Sequence, residues 1–361
     1  MSDAGLRTPP IAGLPGPEAL GRLAYVVGPV RGGTTLLYQA IGLHPEILTF
    51  RGMTHFVNHV WQYRNKVHER LLRILVKLPN FCKQEKDILA RLGEAERLEW
   101  KRFTNRAVKR KRMAELWSLY PMLYALTPLF TKRAEDIRCW CEKSNDCAGI
   151  ADIARDFPWS RFLFIARDPL ASVSSMAVRS ADKAGEANPQ VQFDKLLASA
   201  VHWAHMTLRM LRFARRHPGQ SRLLRFEDLV QDPVATLSGA FAFLEVAPLP
   251  ADQLAEAVGK LSYRATNAPG ESGSGMDTRP LERWRSVLSE PDAAVIRDVT
   301  GRIARCAGYE VPGSLTLGKA LGLALRVQGL RGRVLTLGKL VWIAGFSLLR
   351  AGWTPARGRA A

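Results

Sequence analysis

The stretch "LAYVVGPVRGGTTLLYQAIGLH", residues 23–44, limits the possible folds more than any other part of the chain. An apolar run stops at a glycine, a glycine-rich loop follows, and the apolar residues then recur at helical spacing. The order is strand, loop, helix. The phosphate-loop pattern G-x-x-x-x-G-K-[ST] maps onto Gly28, Gly33, Thr34 and Thr35, with Thr34 where the lysine belongs. Arg31 is the only cation in the loop. Glycines at 28, 32 and 33 permit a tight turn and close backbone approach. The amides that open the helix face whatever sits in the loop, and the helix dipole favours negative charge there. Thr34 and Thr35 add hydroxyl donors. A nucleoside triphosphate ordinarily requires the lysine and magnesium. A nucleotide whose transferred group bears a single charge needs less neutralisation, which one arginine can supply. Sulfonate meets that description.

A second unit of the same kind appears in "RFLFIARDPLASVSSMAVRS", residues 161–180, where a strand over 162–166 meets a turn at Asp168-Pro169 and then a helix. Arg167 falls just past the carboxyl edge of the sheet, where open α/β sheets bind ligands. Ser175, two helical turns on, can face the same phosphate. "RLLRF", 222–226, reads as a third strand, with Asp232 and Pro233 set as cap and first turn of the helix in "DPVATLSGAFAFLEV". Strands alternating with helices predict an α/β fold, a P-loop-like parallel sheet flanked by helices.

The remaining segments have other compositions. Residues 1–20 read as a flexible leader, 21–310 as the α/β domain, 57–138 as a basic helical insertion within it, and 311–361 as a basic amphipathic tail. In the insertion, "VKRKR" reads as a solvated helix face rather than a nucleic-acid patch. From Val311 onward there is no Asp or Glu and there are eight Lys or Arg. The longest uncharged run, Leu340 to Leu349, is ten residues, too short to span a bilayer. A basic segment bearing leucine and tryptophan fits an interfacial helix on an anionic membrane surface. The net charge of +19 agrees with an anionic partner without choosing one. Five cysteines, an odd number, with no secretory pattern at the start, point to a reducing, cytoplasmic setting with peripheral membrane contact. Cys139, Cys141 and Cys147 lack a matching histidine pair, so buried thiols are expected there rather than zinc.

Four segments together carry a resemblance: "GPVRGGTTLLYQAIGLHPEI", "EKSNDCAGIADIARDFPWSRFLFIARDPLASVSSM", "LLRFEDLVQDPVATLSGAFAFLEV" and "RWRSVLSEPDAAVIRDVTGRIARCAGY". In this order they resemble the sulfotransferases that use 3'-phosphoadenosine-5'-phosphosulfate (PAPS), especially the bacterial branch akin to carbohydrate and tyrosylprotein sulfotransferases. The similarity spans roughly residues 23–60 and 140–309. It implies that Arg31, Gly32, Gly33, Thr34 and Thr35 hold the 5'-phosphosulfate, and that Arg167 and Ser175 grip the 3'-phosphate. "APGESGSGMDTRPLERWR" falls where such enzymes close a segment over the cofactor, which makes Arg283 a further phosphate ligand. Lys143 matches a family lysine, and "RFEDL" is expected to be architectural, with Glu227 or Asp228 ordering nearby cations. No metal is implied.

The chain departs from this family in two places. Gly32 replaces a serine in the first loop. A catalytic glutamate expected about twenty residues past Arg31 is missing, because "FRGMTHFVNHV" puts Gly52 or Met53 there. The acceptor hydroxyl needs a base within reach. His55 is the nearest candidate, since a neutral imidazole takes a proton near pH 7; Glu46 and His59 are the outsiders. Arg31 and His55 are therefore the expected catalytic pair. The expected reaction moves a sulfonate from PAPS to a hydroxyl of a glycan or glycolipid. The rival readings are a catalytically degenerate binding protein of the same fold and a P-loop-type kinase; a nucleic-acid partner is the least favoured.

Overall fold

The computed structural model describes residues 22–49, 94, 132, 136–147, 149–184, 189–264 and 272–348. The expected leader lies outside these residues. So does the expected insertion, apart from Glu94, Lys132 and residues 136–138.

In chain order, strand β1 (Arg22–Val27) leads into helix α1 (Thr34–Ile41), followed by β2 (Ile47–Thr49) and β3 (Cys139–Ser144). Next come α2 (Ile150–Asp156), β4 (Arg161–Ala166), α3 (Pro169–Ala184), α4 (Pro189–Arg216) and β5 (Ser221–Arg225). The helices α5 (Phe226–Gln231), α6 (Pro233–Leu244) and α7 (Ala251–Gly259) precede a small antiparallel pair, β6 (Ser262–Arg264) and β7 (Ser272–Ser274). After short 3-10 turns come α8 (Glu290–Cys306), α9 (Leu317–Leu325) and α10 (Leu330–Leu348).

Strands β1 to β5 form one sheet in the order β2-β3-β1-β4-β5, every neighbouring pair parallel. The α/β expectation is met. Parallel strands covered on both faces read as unbroken apolar runs, and β1 is buried from Leu23 to Val27. The two faces are nevertheless chemically distinct. Ala24, Val26, Leu163 and Ile165 pack with α1, α5, α6 and α7. On the other face Phe162 and Phe164 meet Phe213 of α4, with ring centroids 4.8 and 5.6 Å apart, and Tyr25 meets Phe162 edge-on at 5.9 Å. Period-two alternation in "RFLFIA" therefore sends aromatics to one layer and aliphatics to the other.

Asp232 caps α6 as its sequence position suggests: Oδ1 accepts from Ala235 N at 3.1 Å, with Pro233 in the first turn. The strands β2 and β3 were not read from the sequence. Strand β3 carries Glu142 and Lys143 inside a buried run, which breaks the apolar pattern. Cys139 and Cys141 of β3 and Cys147 beyond it are buried thiols: desolvation raises the pKa of all three, that of Cys139 and Cys147 to about 12. The segment after Val311 joins the core. Val311, Leu315, Ala320, Leu323, Leu340 and Ile343 pack with α3, α4 and α8.

Candidate active site

The register of the sheet brings three strand ends together. Val27 of β1 pairs with Ser144 of β3 on one side and Phe164 of β4 on the other. The loop after β1 thus lies between the ends of β3 and β4, at the carboxyl edge where open sheets bind ligands.

The loop's path depends on two residues with left-handed backbone, Arg31 at φ +64° and Gly33 at φ +97°. Gly33 has no tolerable substitute, because a Cβ there would sit 2.3 Å from Cδ2 of Phe226. Gly32 N donates to Pro29 O at 2.9 Å, tightening the turn, and Leu37 N donates to Gly33 O at 3.0 Å as α1 begins. Loops of this kind turn backbone N–H groups toward an anion, and α1 adds its positive end. Val30 is fixed from outside the loop: its carbonyl accepts from Ser172 Oγ at 3.3 Å, and its N–H is directed at His202 Nε2 at 3.5 Å. Burial lowers the pKa of His202, which keeps the ring a neutral acceptor.

Each predicted loop residue has a defined partner. Arg31 Nε donates to Ser175 Oγ at 2.8 Å. Thr34, buried, donates to Asn145 Oδ1 at 2.9 Å. Thr35 Oγ1 accepts from Lys143 Nζ at 2.7 Å. The Arg31–Ser175 bond makes the two strand-to-helix junctions one continuous site.

Lys143 is the residue whose role the sequence did not reveal. It is the penultimate residue of β3, is buried, and holds Nζ 5.7 Å from the centre of the Tyr38 ring. Desolvation lowers its pKa to about 8. The signal available was a lone lysine closing the apolar run "RCWCEK", legible once β3 is placed beside β1. Its ammonium stands at the threonine that follows the expected lysine position. A cation from the neighbouring strand thus reaches the loop at Thr35.

Arg167 is buried, with its guanidinium stacked 4.8 Å over the Phe226 ring and Nη2 bonded to Pro280 O. Trp203 Nε1 donates to the Arg167 carbonyl at 3.0 Å, fixing the backbone. Nε of Arg167 is buried with no hydrogen-bond partner among the described residues. A buried, orphaned guanidinium N–H at the end of the strand that leads to Ser175 fits an anionic group. Desolvation lowers the pKa of Arg167, and the charges of Glu227 and Asp168 oppose that shift.

Glu227 explains the "RFEDL" segment. Its Oε1 accepts from Asp168 N at 2.9 Å and its Oε2 from Tyr309 Oη at 2.9 Å, fixing the turn that carries Arg167. Phe226, next to it, touches both Gly33 and Arg167, one ring serving two parts of the site.

Arg283 is exposed in the 3-10 turn Arg283–Ser286, which packs against α3, the helix of Ser175. The same loop region supplies Pro280 to Arg167. His55, His59, Gly52 and Met53 lie outside the described residues. Glu46 is engaged elsewhere, accepting from Ala247 N at 2.9 Å. Among the described residues no cluster of His, Cys, Asp or Glu could hold a metal ion.

Comparison with known proteins adds the following. The sequence model of the sulfotransferase family matches residues 24–250. No curated protein sequence matches significantly. Among solved structures the chain is similar to the sulfotransferase domain from the Synechococcus PCC 7002 olefin synthase, at 18% identity over 81% of this chain and 96% of that one, with a TM-score of 0.49. It is also similar to the sulfotransferase domain from the curacin biosynthetic pathway, at 18% identity over 81% and 99%, with a TM-score of 0.46. A sulfotransferase from Mycobacterium avium matches at 15% identity over 75% and 77%, with a TM-score of 0.39.

Proposed function

The chain belongs to the sulfotransferase family, whose members are PAPS-dependent transferases, and we propose that it moves a sulfonate from PAPS to a hydroxyl of a glycan or glycolipid. The observation that carries the cofactor assignment is the Arg31–Ser175 bond, which joins the glycine loop to the junction holding the orphaned Arg167 Nε. PAPS, when bound, supplies an activated sulfonate on a phosphate leaving group.

The chain's own residues divide the work. The amides of Arg31, Gly33, Thr34 and Thr35, with the hydroxyl of Thr35, face the 5' end, while Gly32 tightens the turn through Pro29 and the Thr34 hydroxyl is held by Asn145. Arg167 and Ser175 hold the 3'-phosphate, and Arg283 approaches from the covering loop. Arg31 and Lys143 place two cations where charge accumulates as the sulfonate leaves. Preorganised charge of this kind is usually the largest contribution to catalysis. His55 removes the proton of the acceptor hydroxyl. The acceptor class rests on the resemblance to the carbohydrate-modifying branch, and a cytoplasmic setting on the free thiols of Cys139, Cys141 and Cys147.

Calorimetric titration with 3',5'-bisphosphoadenosine tests the cofactor site without an acceptor. Binding in the absence of magnesium, weakened by roughly tenfold or more in Arg31→Ala and Arg167→Ala, is expected. Unchanged affinity in both variants would refute the assignment. Labelled sulfonate appearing on glycolipid or glycan hydroxyls then tests the acceptor. The missing glutamate motivates a second reading, a protein that keeps the cofactor but transfers nothing. Tight binding with no turnover on any hydroxyl acceptor would establish that reading instead.

A further inference from the structure

The C-terminal hairpin of α9 and α10 is apolar on both sides. Its inner face is ordinary core: Ala320, Leu323, Ala324, Leu340, Ile343 and Ala344 are buried against the body. Its outer face should then be polar, as on any surface helix. It is not. Among the described residues, large hydrophobic side chains are exposed at nine positions, and eight of these lie between Leu317 and Trp342. On α9, Leu317, Leu321 and Leu325 recur every fourth residue at 53%, 49% and 56% exposure. On α10, Leu330 and Val334 are exposed at 78% and 61%. An apolar patch concentrated in this way marks an interaction surface rather than scattered solvent-facing leucines.

We infer that the outer face of the α9–α10 hairpin docks the protein on an anionic lipid bilayer. The charge pattern selects this occupant. Arg326, Arg331, Arg333 and Lys339 are exposed among the leucines, Lys319 is paired with Asp298 of α8, and residues 311–361 contain no acid. Interleaved cations and buried-depth hydrophobics suit the boundary between headgroups and acyl chains. A second copy of the chain would set this basic face against itself, with no carboxylate in the segment to offset the repulsion. A nucleic acid would leave the leucines in water. Nothing in the described residues crosses the bilayer, since no helix is long and apolar enough. The hairpin lies on the surface.

The docking face is coupled to the site. The Trp342 ring of α10 packs tilted against His205, centroids 4.9 Å apart, and its centre lies 5.4 Å from the Arg212 guanidinium. His205 is one helical turn from His202, the residue directed at Val30 in the glycine loop. The hairpin that holds the bilayer on its outer face therefore packs directly on α4, the helix that carries His202 beside the cofactor loop. The inference does not depend on the acceptor being a lipid.

The test is co-sedimentation of the full chain with vesicles of phosphatidylcholine alone or mixed with phosphatidylglycerol. Binding is expected only to the mixed vesicles, and it should weaken as salt rises. Two variants separate the contributions: Leu321→Glu with Leu325→Glu, and Arg331→Glu with Lys339→Glu. Each pair should lower vesicle affinity by roughly tenfold or more, with bisphosphoadenosine binding unchanged as the check on folding. Equal binding to neutral vesicles overturns the inference, as does binding that survives both variants. An oligomer seen by light scattering that the leucine variant dissolves also overturns it, since the face would then be covered by a second copy.

Discussion

Arg31 and Ser175, 144 positions apart in sequence, meet at 2.8 Å through Nε and Oγ, so that the loop after β1 is tied to the helix after β4. A charge-assisted bond to a phosphate is worth about 1.5–3 kcal/mol. Arg31→Ala should therefore weaken bisphosphoadenosine binding roughly 10- to 100-fold. Because the two groups share one network, Arg31→Ala with Ser175→Ala should cost less than the two single losses combined. Calorimetry on the four proteins of the cycle measures this; strict additivity would mean that the contact has no bearing on the cofactor.

The backbone at Arg31 allows a separate test. A non-glycine residue at φ +64° carries strain of about 1 kcal/mol that glycine escapes. Arg31→Gly should lose as much cofactor affinity as Arg31→Ala yet unfold in urea with roughly 1 kcal/mol more stability. Equal stability of the two variants would show that the loop relaxes once the side chain is gone.

Lys143 connects the site to pH. Its pKa is about 8 in the folded chain against 10.5 for the free side chain, with desolvation as the cause. Between these values the unfolded chain binds more protons than the folded one, so stability rises with pH through that window. A shift of this size corresponds to about 3 kcal/mol. Lys132, also lowered to about 8, acts in the same direction. Lys143→Met should remove part of this slope between pH 8 and 10.5, and at pH 7 it should be no less stable than the natural chain. Turnover should fall by roughly 100-fold or more if the ammonium faces the leaving phosphate. Since a bound anion favours the charged amine, bisphosphoadenosine binding at a pH above 8 should take up a proton, an uptake absent in Lys143→Met. Calorimetry in buffers of different ionisation enthalpy reads it directly.

The sequence disclosed those parts of this site in which one local pattern suffices. Strands β1 and β4 each end an apolar run at a recognisable turn, and Asp232-Pro233 marks a helix start that the structure reproduces, whereas β5 stops one residue before its expected end because Phe226 opens α5. Strand β3 was hidden because its buried Lys143 and Glu142 look like surface residues in a one-dimensional reading. Their burial follows from the strand's place between β1 and β2, which no local pattern encodes. The same holds for Phe226, whose ring lies under both Gly33 and Arg167. The segment after Val311 is basic and apolar in composition, but its inner face cannot be separated from its outer face without knowing that α4 and α8 lie beneath it.

Gly33 tests that shared ring. A methyl at this position would be 2.3 Å from Phe226 Cδ2, on a backbone at φ +97° that alanine adopts only with strain. Gly33→Ala should destabilise the protein by about 2–4 kcal/mol, combining backbone strain with overpacking. Gly219→Ala, where an added methyl meets nothing within 4 Å, is the matched control and should change stability by less than about 0.5 kcal/mol. Urea unfolding distinguishes the two. Adding Phe226→Leu to Gly33→Ala should recover part of the packing loss while still weakening cofactor binding, because Arg167 loses the ring beneath its guanidinium.

Glu227 is placed to hold Arg167 in position without touching the cofactor itself. Its two oxygens accept from Asp168 N and Tyr309 Oη, both at 2.9 Å. In Glu227→Gln one of these acceptors becomes an amide donor, leaving a buried donor unpaired at a cost of about 1–3 kcal/mol. If the amide nitrogen turns toward Tyr309, removing that hydroxyl relieves the conflict. Glu227→Gln with Tyr309→Phe should then be more stable than the sum of the single variants predicts. The effect on function should follow the same order, since a loosened Asp168 turn displaces the neighbouring Arg167: bisphosphoadenosine affinity should fall in Glu227→Gln and partly return in the double variant. Unfolding curves and calorimetry on the same four proteins measure both. If stability is restored in the double variant but affinity is not, Glu227 supports the fold alone and the positioning of Arg167 must come from Phe226 and Trp203.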